Sequence, residues 1–122
     1  MKRVYVAGPY NADNVVDVIR NVRVGITSSV EAVKGGLSVF CPFLDFHYGL
    51  ISELSLEDYR RNSVEWVKVA DAILLLPGWE KSEGVRLELA EASKYGVPAF
   101  ESINDILRWE HSLEEPEDEY FE

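Results

Sequence analysis

Two hydrophobic patterns take turns along this chain. One is a short apolar run bounded by glycine and proline; the other is a longer stretch with apolar residues every three or four positions. Residues 4–7 are apolar and β-rich, and Gly8-Pro9 stops them, which predicts a first strand. Asp13 is placed as the N-cap of a helix over about 14–34, where Val15, Val18, Ile19, Val22, Ile26, Val30 and Val33 recur at helical spacing. Gly35-Gly36 ends that helix, as glycine does just past a helix end. Residues 37–40 read as a second strand, and 41–54 as an aromatic-rich loop carrying Pro42, Asp45, Phe46, His47 and Tyr48. Ser55 with Asp58 gives a capping-box signal for a helix running to about Val69, with Leu56, Tyr59, Val64, Trp66 and Val67 on it. Residues 72–76 are continuously apolar, which suits a strand covered on both faces. A third helix is predicted over about 84–95 and ends at Gly96. Residues 97–100 then read as a fourth strand. Ser102, with Asp105 three residues on, caps a last helix through Trp109.

Strands alternating with helices imply a parallel sheet with helices on both faces. Right-handed crossovers make the layout doubly wound. The expectation is a single Rossmann-like or flavodoxin-like α/β domain over 1–109, with four strands or slightly more in the order 2-1-3-4. That order puts the topological switch between strands one and three. Their carboxyl ends are Gly8-Pro9-Tyr10 and Pro77-Gly78-Trp79, so both loops are expected to flank one ligand crevice. The pattern shows no internal repeat and no second domain.

Composition changes this picture only at the C-terminus. The chain has 122 residues, 47% of them hydrophobic, enough for one core. Net charge is −10, from 22 acidic and 12 basic residues. Glu110, Glu114, Glu115, Glu117, Asp118, Glu119 and Glu122 hold seven of the acids in a stretch without Lys or Arg, leaving 15 acids against 12 bases elsewhere. Residues 110–122 therefore read as an acidic, solvated and partly disordered tail. This charge argues against binding a nucleic-acid polymer, which needs basic surface. No apolar run reaches the roughly 20 residues that span a bilayer, and the N-terminus lacks a signal-peptide layout. Cys41 is the only cysteine, which fits a reducing cytoplasm. His47 and His111 are the only histidines, and with Cys41 they make no metal-ligand spacing.

The candidate chemistry sits on the loop after strand three. Gly78 to Gly84 matches neither a dinucleotide fingerprint nor a Walker sequence, and Ala7-Gly8-Pro9-Tyr10 lacks G-x-G-x-x-G. The glycines make tight turns or let backbone approach a ligand; spacing leaves both open. Ser82 can cap the third helix, and a helix start also favours an anion such as phosphate. Glu88 falls in the second turn of that helix. Residue type alone reads it as a solvated glutamate, since Glu is rarely buried. The alternative is a carboxylate aimed into a dry cleft, able to attack a sugar carbon. Asp71 begins strand three, where it caps the preceding helix or orients a substrate. Tyr5 reads first as a core residue, and Trp79 as a local core residue or a base-stacking group.

The segments Val4-Tyr5-Val6-Ala7-Gly8-Pro9 and Ala70-Asp71-Ala72 through Ser82-Glu83-Gly84-Val85-Arg86-Leu87-Glu88-Leu89-Ala90-Glu91-Ala92 resemble the nucleoside 2-deoxyribosyltransferase superfamily. Within it they are similar to a small-protein branch, frequent in phages and bacteria, with a Leu-Pro-Gly-Trp-Glu-x-Ser-x-Gly-x-x-x-Glu signature. The resemblance covers most of residues 1–100. It implies a Rossmann-like fold and cleavage of an N-glycosidic bond, with Glu88 as nucleophile and Tyr5 positioning it. It also implies that Asp71 acts near the sugar or base, and that Ser82 contacts a 5′-phosphate as in the nucleotide N-hydrolase branch. Transferase members tend to carry an aspartate near the Ser82 position and take free nucleosides. They also complete their site with a neighbouring subunit's C-terminal residues, a pattern this tail does not match.

The expected function is cleavage of, or transfer from, the N-glycosidic bond of a nucleoside 5′-monophosphate or (deoxy)nucleoside. Glu88, Asp71 and Tyr5 would be catalytic. Gly8, Pro9, Tyr10, Gly78, Trp79, Ser82 and Gly84 would bind substrate. No metal or organic cofactor is implied, and a homodimer or larger assembly follows from the resemblance. The rival is a non-catalytic nucleotide-binding module, such as a sensor or phage accessory protein. A third reading is a structural or interaction protein using the acidic tail.

Overall fold

The computed structural model describes residues 2–114. Four strands form one parallel sheet in the order β2-β1-β3-β4: β1 is Arg3–Ala7, β2 Ser38–Phe40, β3 Ala72–Leu75 and β4 Ala99–Phe100. The helices are α1 Val15–Lys34, α2 Leu56–Val69, α3 Glu83–Lys94 and α4 Ile103–Glu114. The expected strand order and the α/β class are those observed.

Pleating divides the core. On β1, Val4 and Val6 face one way with Leu74 and Leu76; these pack with Ala32 of α1 and Ile106 of α4. Tyr5 and Ala7 face the other way with Ile73 and Leu75, and meet Val67 of α2 with Val85 and Ala92 of α3. A strand covered on both faces needs apolar residues at every position, and β3 is buried throughout. Each such valine, leucine or isoleucine contributes roughly 1.5–3 kcal/mol by leaving water.

Several boundaries differ from the pattern's prediction. Asn14, not Asp13, caps α1: its side chain accepts from the Asp17 amide at 2.9 Å. The predicted loop after β2 holds a 3₁₀ helix over Pro42–Leu50. It starts at a proline, whose missing N–H costs nothing at a helix start. It is held down by Phe43, which fills the space where Gly25 of α1 has no side chain. The Ser55–Asp58 capping box is formed in both directions. A 3₁₀ turn, Trp79–Lys81, precedes α3. β4 is shorter than predicted, as suits an edge strand. α4 continues past Trp109 to Glu114, so the first part of the expected acidic tail is helical. The remainder of that tail, 115–122, lies outside the described residues. Among the described residues, no helix is long and apolar enough to cross a membrane.

Candidate active site

The centre of the site is a contact between β1 and α3. The helix turns Val85, Glu88, Leu89 and Ala92 toward the sheet, because these positions share one face. Glu88 is thus a carboxyl on an apolar stripe. Directly beneath it, the fully buried Tyr5 donates its phenol hydrogen to Glu88 Oε2. Burial pushes the Glu88 carboxyl up from its ordinary 4.5 to about 7; the Tyr5 hydrogen bond and the nearby Arg60 charge oppose that rise. Burial, and then the adjacent Glu88 carboxylate, hold the Tyr5 phenol well above its ordinary value, while Ser63 pulls the other way. Tyr5 therefore keeps its proton and acts as a donor across the physiological range.

The walls come from α2 and the 3₁₀ segment before it. Arg60 and Ser63 of α2 share the inward side with Val67. α2 and α3 run side by side, tied at one end by Arg60 to Glu83 (3.4 Å) and further along by Lys68 to Glu91 (3.9 Å). Glu88 lies on the helical stretch between those two ties. From the 3₁₀ segment, the half-buried Asp45 lies within electrostatic reach of both Tyr5 and Tyr10, and burial raises its carboxyl above the ordinary range. Tyr59 is the neighbour of Tyr10 and stacks on Tyr48. Tyr5 is held from the side by a ladder of rings, Phe40 on Tyr5 at 5.6 Å and Trp66 on Phe40 at 4.9 Å.

The two glycine loops meet each other at the sheet's carboxyl edge. A Cβ on Gly8 would lie 2.8 Å from Leu76 Cβ, so only glycine lets β1 pass there. Gly78 has φ +87 and faces the Pro9 ring. Gly8, Pro9 and Gly78 thus form a closed rim beside the site. Tyr10 follows with its ring against Phe43 and its carbonyl held by Asn21. Ser82 caps α3, accepting from the Val85 amide at 3.3 Å, and Gly84 occupies the first turn beside it.

Of the expected site residues, Asp71 is placed elsewhere, while Trp79 packs against the cluster that holds Tyr5 and Val85. Asp71 stands at the amino end of β3, opposite Arg3, where its carboxylate accepts from the Arg3 amide at 2.8 Å and lies 3.6 Å from the Arg3 guanidinium. Ligands of parallel sheets bind at the other end, so the structure does not bring Asp71 to Glu88. Trp79 packs on the α2–α3 side of the core, and its indole N–H donates to Glu101 at 3.0 Å. Asp45, Tyr59, Arg60 and Ser63 join this site without belonging to any motif of the sequence. The signal for Arg60 and Ser63 was available: they are polar residues at the inward spacing of an amphipathic helix. Asp45 had no such signal, because a 3₁₀ segment carries no long period. No group of three or more His, Cys, Asp or Glu among the described residues is arranged to hold a metal ion.

A Rossmann-like α/β domain with a carboxyl held by a buried phenol, beside a basic and a second acidic group, is the class that fold and site define. The chain belongs to the family described as a domain of unknown function (DUF4406), whose model matches residues 2–100. The match runs from the start of β1 to the end of β4 and so contains every site residue. No curated protein matches the chain.

Proposed function

We propose that this protein breaks the N-glycosidic bond of a nucleoside 5′-monophosphate or (deoxy)nucleoside, by hydrolysis or by transfer of the sugar. One observation supports the reading above the others: Glu88, a carboxyl drawn partly out of water, receives a hydrogen bond from the buried Tyr5. A surface glutamate needs no such partner. A nucleophile needs fixed orientation and partial desolvation, and this carboxyl has both. In the proposed step the Glu88 carboxylate attacks C1′ of the sugar, and the C1′–N bond pair leaves with the base. Water, or a second base, then takes the sugar from Glu88 and restores the carboxylate.

The departing base needs a proton. Asp45 takes that role in this reading, in place of Asp71, because its raised carboxyl keeps a proton longer and it faces the Tyr5–Tyr10 side. Tyr10 and Tyr59 offer the aromatic wall for the base. Ser82 accepts one bond as a cap, and its hydroxyl hydrogen remains available to a phosphate oxygen. The same reading places the protein in a reducing cytoplasm, as a homodimer or larger assembly.

The test is release of free base. The protein is incubated with a panel of ribo- and deoxyribonucleoside monophosphates and the matching nucleosides, and bases are separated by chromatography. Release that disappears in Glu88→Ala is the expected result. Release that survives this substitution removes Glu88 as nucleophile. Substrate binding with no release from any member identifies a nucleotide-binding module instead.

A further inference from the structure

The outer face of α1 carries an apolar seam that the fold does not cover. Val16, Ile19, Val30 and Val33 are 60%, 47%, 48% and 57% exposed. With the exposed Arg23 and the half-buried Ile26, which also packs against the chain's own core, they fall at successive spacings of three, four, three, four and three, the a/d pattern of a helix that packs against another helix. The pattern is also palindromic. Val16 and Val33, Ile19 and Val30, and Arg23 and Ile26 lie at equal distances from a point between Val24 and Gly25. A shallow groove runs beside the first half of this seam, where Val16, Ile19 and Arg23 line it together with neighbours that include Arg20, Val24 and Glu31.

We infer that this face binds a second copy of the chain, with the two α1 helices antiparallel about a twofold axis at that midpoint. Apolar residues then meet apolar residues along the seam: Val16 meets the partner's Val33, and Ile19 the partner's Val30. Charge selects the direction. Arg20 and Glu31 are 11 positions apart, close to three full turns, so they share one flank of the seam. Antiparallel packing brings equivalent flanks together. It sets Arg20 against the partner's Glu31, and Glu31 against the partner's Arg20, with an axial offset of about 3 Å. A parallel pair would turn this flank toward the partner's opposite flank and would form neither Arg20–Glu31 pair. Within one chain Glu31 has no ion pair among the described residues, and Arg20 touches only Asp17. Arg23 is the single polar seam position, the kind of residue that fixes register in paired helices at some cost in stability.

Sedimentation of the full chain at micromolar concentration tests this. The wild type is expected at twice the chain mass. Val30→Glu, Arg20→Glu and Glu31→Arg each alter an exposed side chain, so circular dichroism should show an unchanged fold, while the dimer weakens by roughly tenfold or more. Mixing Arg20→Glu with Glu31→Arg should restore a mixed dimer, since both cross-pairs then join opposite charges. A monomeric wild type overturns the inference. So does a dimer that none of the three variants weakens, and so does a mixture that fails to recover. A monomeric wild type would also remove the assembly from the proposed function, but none of these outcomes bears on base release, which keeps its own test.

Discussion

At the residue scale, the site is decided by what Glu88 and Asp71 each touch. Both are acids on or beside the most legible segment of the chain, and residue type does not separate them. Glu88 lies on the stripe that α3 turns to the sheet, and it meets Tyr5. Asp71 is bonded to the Arg3 backbone at the opposite edge. Replacing Asp71 by Ala should lower stability by about 1 kcal/mol, the worth of one hydrogen bond, and leave kcat/KM unchanged. Denaturant melts and initial rates check this, and a large loss of rate with intact stability would return Asp71 to the site. Tyr5→Phe removes a bond to an ionised carboxylate, worth roughly 1.5–3 kcal/mol. That bond lowers the Glu88 value, so its loss should move the acid limb of kcat/KM upward from about 7, by about 1–2 pH units. A limb that stays in place would mean that Tyr5 does not tune Glu88.

At the scale of elements, α1, α2 and α3 were legible because an amphipathic helix repeats its signal over several turns. Ser55 and Asp58 even gave the cap of α2 correctly. The segment after β2 was not legible. Its nine-residue 3₁₀ helix has no long repeat, and its buried anchor is Phe43, whose ring sits in the notch at Gly25. A Cβ on Gly25 would lie 2.2 Å from that ring. Gly25→Ala must therefore displace Phe43, and with it the segment that carries Asp45. The expected cost is about 1–3 kcal/mol, as for other overpacked cores. A fall in urea midpoint together with a raised KM is the expected signature. A variant as stable as the wild type would show that the segment is anchored in some other way.

For the whole molecule, the half-buried Glu88 carboxyl ties stability to pH. The Glu88 value is about 7 when folded and near 4.5 when exposed. A raised acid contributes its full stability below the lower value and loses it as pH rises through the upper one. The loss across that window is of order 3 kcal/mol. Glu88→Gln keeps an acceptor for Tyr5 but carries no charge. It should raise the melting temperature by several degrees at pH 8, change it little below pH 5, and abolish base release. Equal melting temperatures at pH 8 would show that Glu88 ionises without cost to the fold. Local sequence determined the α/β class, the helices and the segment that carries Glu88, because period, caps and glycine stops act over a few residues; the strand order followed from the handedness of the crossovers. Only the tertiary structure decided which polar groups share the site. Tyr5, Asp45, Ser63 and Glu88 lie on four separate segments, and no local pattern records that the pleat of β1, the parallel run of α2 and α3 and the seating of Phe43 on Gly25 bring them together.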